Sequence, residues 1–350
     1  VKNSLLETQY KKIYEQKPGT VIMYSTIEKK IINSFEWYDL SSDINIFKNF
    51  DLKDLIEDSI NIRLKSDVPG GIALSGGVDS SVISFFTNKN TKQKIDAFSY
   101  ISSHSSYDES SVIKGFSKNF ENITMNYINE NYEVNFDLII NSMRALGMPY
   151  FDSNIAQIKF YEKVRNSNNK FIVEGHGADE LFLGYNQHSS MLFWISLFSL
   201  NIKNSYNSLV SFFSSYIEGY PLRYKILTLF KSLYLLIISK KEKIYNYEFS
   251  SKKSLLFESF FKTILPKLLN NYDKTSMYNS IESRSPFLDH RVVANVLAKD
   301  LDFFISHQSK NFLRKILSEN NIVVPTKKRG FRSFIWKSIN ENNLDKLFIV

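Results

Sequence analysis

The chain has 350 residues, a formal net charge of +8 and no cysteine, which excludes disulfides, thiolate metal sites and a cysteine nucleophile among these residues. With 43% hydrophobic and 23% charged residues, including 29 Phe and 20 Tyr, the composition is that of a folded protein rather than a disordered one. The positive charge is spread over many lysines, which suits anionic substrates such as nucleotides and equally suits a solvated Lys-rich surface.

The first residues, "VKNSLLETQYKKIYEQKPG", are polar and charged and do not read as a secretory signal, so a cytoplasmic protein is expected. Residues 18–40 read as two short strands around a polar turn, distinct from the later part of the chain. From "FDLKDLIEDSINIRL" onward a rhythm sets in, with Leu52, Leu55 and Ile56 at helical spacing. "GIAL" (71–74) reads as a short buried strand and "SSVISFF" as the opening of a helix. "IDAFSY" (95–100), "ITMNYI" (123–128) and "KFIVEG" (170–175) supply further strands. Between them fall a helix with Asp108 as N-cap and helices near 134–145 and 154–166. Strands alternating with helices predict an α/β fold with a doubly wound parallel sheet. Residues 190–270 break the rhythm with long aromatic-rich helical stretches. Their strongest apolar runs, 191–200 and 226–239, fall short of the roughly 18 uninterrupted apolar residues of a spanning helix, so no membrane span is expected.

The chemistry concentrates in two loops. In "ALSGGVDSSVISFF" (73–86), Gly76 and Gly77 let the chain turn tightly and aim backbone N–H groups at one point, to which the following helix directs the positive end of its dipole. Hydroxyls of Ser75, Ser80 and Ser81 complete a cradle of phosphate size. The loop has no Walker lysine and carries Asp79 instead, which makes sense if the carboxylate holds Mg²⁺ on a polyphosphate; a plain Ser/Gly turn closing a βα unit is the alternative. "EGHGADELFLGY" (174–185) is glycine-rich again and holds acids where a strand hands over to a helix. Parallel strands would bring Asp79 and Asp179 to the same carboxyl edge, where open α/β sheets bind ligands and where two carboxylates can share Mg²⁺. Asp179 and Glu180 as a pair at a helix N-terminus remain the other reading.

These residues resemble a known family. SGGVDSS is similar to the loop of pyrophosphate-loop ATPases, and together with GHGADELF it resembles the synthetase domain of the asparagine synthetase family. "LPKLLNNYDKTSMYNSIESRSPFLDHRVV" (265–293) and "KNFLRKILSENNIVVPTKKRGFRSFIWKSI" (310–339) fit in order. The resemblance implies an adenine nucleotide alpha hydrolase-like sheet with an additional largely helical region, ATP and Mg²⁺ as cofactors, and amide formation through an acyl-adenylate. It implies that Ser75, Gly76, Gly77, Asp79, Ser80 and Ser81 form the pyrophosphate loop, with Gly175 and Gly177 beside the nucleotide and Asp79 and Asp179 as metal ligands. Leu74 and Ser99 correspond to strand ends that face adenine. Lys328 corresponds to the lysine that neutralises charge on the departing pyrophosphate, or is one more solvent-facing lysine. Glu282, with Arg284 and Asp289, corresponds to a wall of the active site, where it orients an amine or pairs with Arg284 or Arg291.

Two departures bear on substrate. Asparagine synthetases of the family carry Glu where this chain has His176, and relatives forming β-lactam or macrocyclic amides use other residues there. An imidazole can take a proton from an attacking amine near neutral pH, or it can simply bond a backbone carbonyl. The glutaminase cysteine of complete members is absent, so residues 1–45 are expected to be a remnant of a glutaminase-like domain and 46–345 the synthetase domain, with 190–270 a variable helical insert. The expected partners are a small carboxylate and an amine donor, either ammonia or nitrogen from a separate glutaminase chain. A homodimer is compatible with the resemblance, and no nucleic acid is expected because no RNA-binding module is recognisable.

Overall fold

The computed structural model describes residues 5–8, 11–101, 113–114, 120–129, 136–147, 152–215, 221–244 and 247–323. Its centre is a five-stranded sheet of β1 (Gly70–Ala73), β2 (Ile95–Ile101), β3 (Ile123–Asn129), β4 (Phe171–Val173) and β5 (Glu282–Arg284), in the order β5-β4-β1-β2-β3. Every pairing is parallel. Four strands are those read from the sequence, each within a residue or two of its expected ends. β5 is not: it is three polar residues that pair only with β4.

Successive residues of a strand point to opposite faces, and the packing follows that alternation. Ile72, Ala97 and Val173 enter the main core, while Phe98 and Ile172 enter a second cluster with Phe160, Tyr161, Val164 and Ile281. Both faces are therefore covered, which explains why β1 and β4 read as short apolar runs rather than as alternating patterns. On the main-core side lie helices α1 (Leu40–Phe47), α2 (Leu52–Leu64) and α3 (Val78–Asn90), and on the other side α4 (Asp152–Asn166).

The N-terminal segment forms the expected hairpin, Thr20–Ser25 against Lys30–Glu36, preceded by a short pairing of Leu5–Glu7 with Tyr14–Gln16. The expected boundary at residue 45 falls inside α1, whose Leu40 and Ile44 are buried in the main core. That helix therefore belongs to the α/β body. The stretch 190–270 is not wholly helical either. After α5 (Ala178–Leu181) come α6 (Asn186–Phe198), α7 (Ile202–Ser214) and α8 (Leu222–Ile238), then an antiparallel pair Glu242–Ile244 and Tyr247–Phe249 and a π-helical turn at Ser259–Thr263. Helices α9 (Leu265–Tyr278), α10 (His290–Ala298) and α11 (Asn311–Ser318) complete the chain as described. No helix among the described residues is long and apolar enough to cross a membrane. The helix expected to begin at Asp108 and the residue Lys328 lie outside the described residues.

Candidate active site at the switch point of the sheet

β1 is followed by β2 and β3 on one side, after which the chain returns to lay β4 and then β5 on the other. The loops leaving the carboxyl ends of β1 and β4 therefore diverge, and the crevice between them is where open parallel sheets bind ligands. These are the two loops singled out in the sequence, 74–78 and 174–177.

In the first, Gly76 has φ 77°, which a side chain would resist. Ser75 and Ser80 lock the turn: the Ser75 N–H donates to Ser80 Oγ (3.2 Å), the two hydroxyls lie 3.1 Å apart, and Ser80 Oγ donates to the Gly77 carbonyl (3.2 Å). No side chain caps α3 at Gly77, so its first-turn amides remain directed at the crevice. Ser81 is different, because its side chain is fully buried in the core-facing side of α3. Leu74 and Ser99 are buried and bonded to each other, with Ser99 Oγ donating to the Leu74 carbonyl at 2.5 Å. The Leu74 N–H is engaged by the Phe98 carbonyl, so this pair ties the end of β1 to β2.

In the second loop, Gly177 has φ 86°, and a Cβ there would stand 2.2 Å from Leu288 Cδ2. A Cβ on Gly175 would stand 2.8 Å from the Asp79 Cβ, so only a glycine lets the second loop come this close to Asp79. Asp79 and Asp179 consequently converge, and they do so on a residue the sequence did not single out. Lys310, held at φ 57° as the N-cap of α11, places Nζ 2.5 Å from Asp79 Oδ2 and 2.7 Å from Asp179 Oδ1. Its side chain is only 7% exposed. Burial alone would lower the Lys310 pKa, but the two carboxylates outweigh it and raise it. Arg314, one turn further along α11, is also near enough for Asp79 to support its charge against burial, which lowers its pKa. Glu180 turns away: it is buried and accepts from the Tyr185 hydroxyl at 2.5 Å, and burial raises its pKa.

His176 lies at the rim of the same crevice, its ring 3.9 Å from that of Tyr272 on α9. Its Nε2 is 3.4 Å from Glu174 Oε2, an ion-pair distance when the ring is protonated and longer than a good hydrogen bond. Glu174 is the second residue that sequence reasoning missed. It is 5% exposed and accepts from Tyr161 (2.8 Å) and Ser283 (2.6 Å). Burial pushes its carboxyl up, but His176 and these donors outweigh burial and hold it below the ordinary carboxylate range. The ring of His176 thus has the buried Glu174 carboxylate behind it, the arrangement that keeps an imidazole oriented.

Glu282 is not brought to this crevice. It pairs in register with Phe171, at the amino end of β4, and its carboxylate is engaged by Arg284 at 2.9 and 3.0 Å. Alternation along β5 turns Ser283 toward Glu174 and Glu282 outward. Asp289 is a structural hub: it caps α10 through the Arg291 N–H, pairs with the Arg291 guanidinium at 2.9 and 3.0 Å and with Arg63 at 3.0 Å. Between these residues, Leu288 packs over Gly177.

Asp79 and Asp179 are the residues that could hold a magnesium ion. Asp79 and Asp179 are hard oxygen ligands already gathered around one positive charge, and among the described residues no cluster of three or more potential ligands exists. Two carboxylates alone suit an ion whose remaining positions are filled by phosphate oxygens and water.

A family model described as asparagine synthase matches residues 51–347. The glutamine-hydrolysing asparagine synthetase 1 of Bacillus subtilis is 32% identical over 138 residues, 39% of this chain and 21% of that protein. The putative glutamine-hydrolysing asparagine synthetase 2 of Methanocaldococcus jannaschii is 31% identical over 172 residues, 46% of this chain and 32% of that protein. For asparagine synthetase B of Escherichia coli the match is 39% over 62 residues, 17% of this chain and 11% of that protein. The matched stretches thus span less than a third of these relatives' lengths. Among solved structures, a U34-tRNA thiolase from Methanococcus maripaludis with its 4Fe-4S cluster aligns over 69% of this chain and 78% of its own, at 15% identity and a TM-score of 0.26, too loosely to bear on fold or function.

Proposed function

The chain belongs to the asparagine synthase family, and from that premise we propose that it forms an amide bond with ATP, through an acyl-adenylate, releasing AMP and pyrophosphate. The observation that carries this reading is the meeting of Asp79 and Asp179, from the two loops of the sheet's switch point, on the buried ammonium of Lys310. A site that gathers two anions and a buried cation beside an uncapped helix N-terminus is matched to a polyphosphate and its counter-ion.

In this reading the loop Ser75–Gly76–Gly77 and the first-turn amides of α3 receive the β- and γ-phosphates. Asp79 and Asp179 would hold Mg²⁺, which when bound supplies positive charge to the polyphosphate. Lys310 and Arg314 steady the pyrophosphate as the bond between the α- and β-phosphates breaks and the substrate carboxylate oxygen takes its place on the α-phosphorus. An amine nitrogen then attacks the acyl carbon, AMP leaves, and the proton lost by the amine passes to His176, whose ring Glu174 orients. Lys328 is assigned the charge-neutralising role at the α-phosphate. Nitrogen is supplied as ammonia or by a separate glutaminase chain, in the cytoplasm.

Aspartate is the first candidate carboxylate, with asparagine as product. A second reading, favoured by one observation, is amidation or cyclisation of a peptide, antibiotic precursor or surface sugar: the His176–Glu174 pair stands where asparagine synthetases carry a glutamate. Product analysis separates these. Aspartate, ammonia and Mg-ATP should yield AMP, pyrophosphate and asparagine; AMP and pyrophosphate formed only with a larger carboxylate supports the second reading, and ADP with phosphate contradicts both.

A further inference from the structure

Helices α4 and α9 meet through buried polar side chains. Gln157 Oε1 accepts from Asn271 Nδ2 and from Thr275 Oγ1, both at 3.1 Å, and Asn279 Nδ2 donates to the Ile158 carbonyl at 3.1 Å. Gln157, Asn271, Thr275 and Asn279 are all buried. Apolar groups of similar volume shift against each other at small cost, whereas a buried hydrogen bond holds in one arrangement only, because a partner moved out of reach is left unsatisfied. These bonds therefore fix the rotation and register of α9 on α4.

That register sets Tyr272, which lies between Asn271 and Thr275 on α9. Its hydroxyl is hydrogen-bonded to Gln157, and its ring lies 3.9 Å from the His176 ring at an interplanar angle of 37°. Burial, with Glu174 and Glu180 adding, pushes the hydroxyl above its ordinary range, so Tyr272 stays a neutral phenol and is not itself a base. His176 needs a support of this kind. It stands between Gly175 and Gly177, which restrict the backbone least. Its Nε2 makes no hydrogen bond among the described residues, and at 3.4 Å Glu174 attracts the ring without fixing its plane. Glu174 cannot follow the ring, since Tyr161 and Ser283 hold it. The stacked contact with Tyr272 fixes that plane, and with Nε2 turned to Glu174 the other ring nitrogen, Nδ1, faces away from it.

We propose that Tyr272 is a positioning residue for the attack of the amine, its ring holding the His176 imidazole so that Nδ1 meets the proton the amine nitrogen loses. This rests on the reading of His176 as the acceptor of that proton. The test uses the whole chain with aspartate, ammonia and Mg-ATP, following ATP–pyrophosphate exchange and asparagine formation in Tyr272→Phe, Tyr272→Leu and Tyr272→Met, with circular dichroism melts to establish that each is folded. Tyr272→Leu and Tyr272→Met should lower kcat for asparagine by roughly 10- to 100-fold with exchange near native, while Tyr272→Phe, which keeps the ring, stays within about threefold of native. In a His176→Gln background Tyr272→Leu should cost nothing further, because the two act as one unit. The chain has five histidines, so the His176 Cε1 proton can be assigned in the NMR spectrum with His176→Gln; lying against an aromatic ring, it should move downfield in Tyr272→Leu and stay in place in Tyr272→Phe. Four results overturn the proposal: native kcat in folded Tyr272→Leu, a folded Tyr272→Phe as slow as Tyr272→Leu, exchange falling in parallel with asparagine formation, or losses that multiply with His176→Gln. A native chain silent in both assays overturns the reaction and this role with it, whereas a native chain active in both with no effect of Tyr272→Leu overturns the role alone.

Discussion

Replacing Lys310 by Met removes one charge and keeps most of the side chain's bulk, so it isolates the electrostatics of the crevice. In the native chain the ammonium is 7% exposed and lies within 2.5 and 2.7 Å of two carboxylates that are themselves only 20% and 18% exposed. Without it, Asp79 and Asp179 face each other with little water to separate them. Breaking a buried charge pair by deleting one partner costs roughly 3–5 kcal/mol, and at about 2–4 °C per kcal/mol for a body of this size the melting temperature should fall by roughly 6–20 °C. The assay is thermal unfolding followed by circular dichroism in EDTA. The Lys310→Met, Asp79→Asn double variant should recover part of the loss, because neutralising one carboxylate removes the repulsion, with a coupling of about 1–3 kcal/mol. Added Mg²⁺ should stabilise Lys310→Met more than the native chain, since the ammonium that bridges the two carboxylates no longer competes with it. If Lys310→Met melts with the native protein in EDTA, or if the two substitutions simply add, the carboxylates do not share that ammonium and the site as described is wrong.

The same geometry sets three further outcomes. Glu174→Gln and His176→Gln should each slow amide formation by about 10²-fold or more while leaving the ATP–pyrophosphate exchange near native, because proton removal from the amine comes after adenylation; equal loss in both assays would remove the pair from that role. Asp289, held at about 2 against an ordinary 3.8, is pushed up by burial but more strongly lowered by Arg291 and Arg63. Its folded value is depressed, so its contribution of roughly 2 kcal/mol is present above pH 4 and lost as pH falls toward 2; the stability gap between native and Asp289→Asn should therefore close over that window in denaturant titrations, and a gap independent of pH would contradict the assignment. Gly177→Ala should cost about 1–3 kcal/mol, from φ 86° and a Cβ placed 2.2 Å from Leu288, with partial relief from Leu288→Ala.

Much of the site was legible because its signals are local. A glycine that must take a positive φ, hydroxyls at fixed spacing and an acid before a helix are written in consecutive residues, and Gly76, Ser75, Ser80, Asp79 and Asp179 appear where those signals put them. Lys310 was not, since one lysine among many carries no sequence mark of burial; its partners come from loops about 230 and 130 residues away in the chain, and only the sheet's crossover joins them. Glu174 reads as an acid ending a strand until Tyr161 and Ser283 close over it. Strand β5 has too few apolar residues to declare itself, and without it the alternation that sends Ser283 inward and Glu282 outward could not be foreseen. The α6–α8 layer was read as helical from its apolar content, but that content gives no sense of which side faces in, where Met191, Leu192, Ile195 and Phe212 are buried.

The central claim is that Asp79 and Asp179 organise ATP for attack at its α-phosphorus. Its most direct test is isotope exchange between pyrophosphate and ATP, dependent on a carboxylate substrate, in the native chain and in Asp79→Asn and Asp179→Asn. Exchange in the native chain that each substitution lowers by about 10²-fold or more is the predicted result; exchange undiminished in both variants would contradict it.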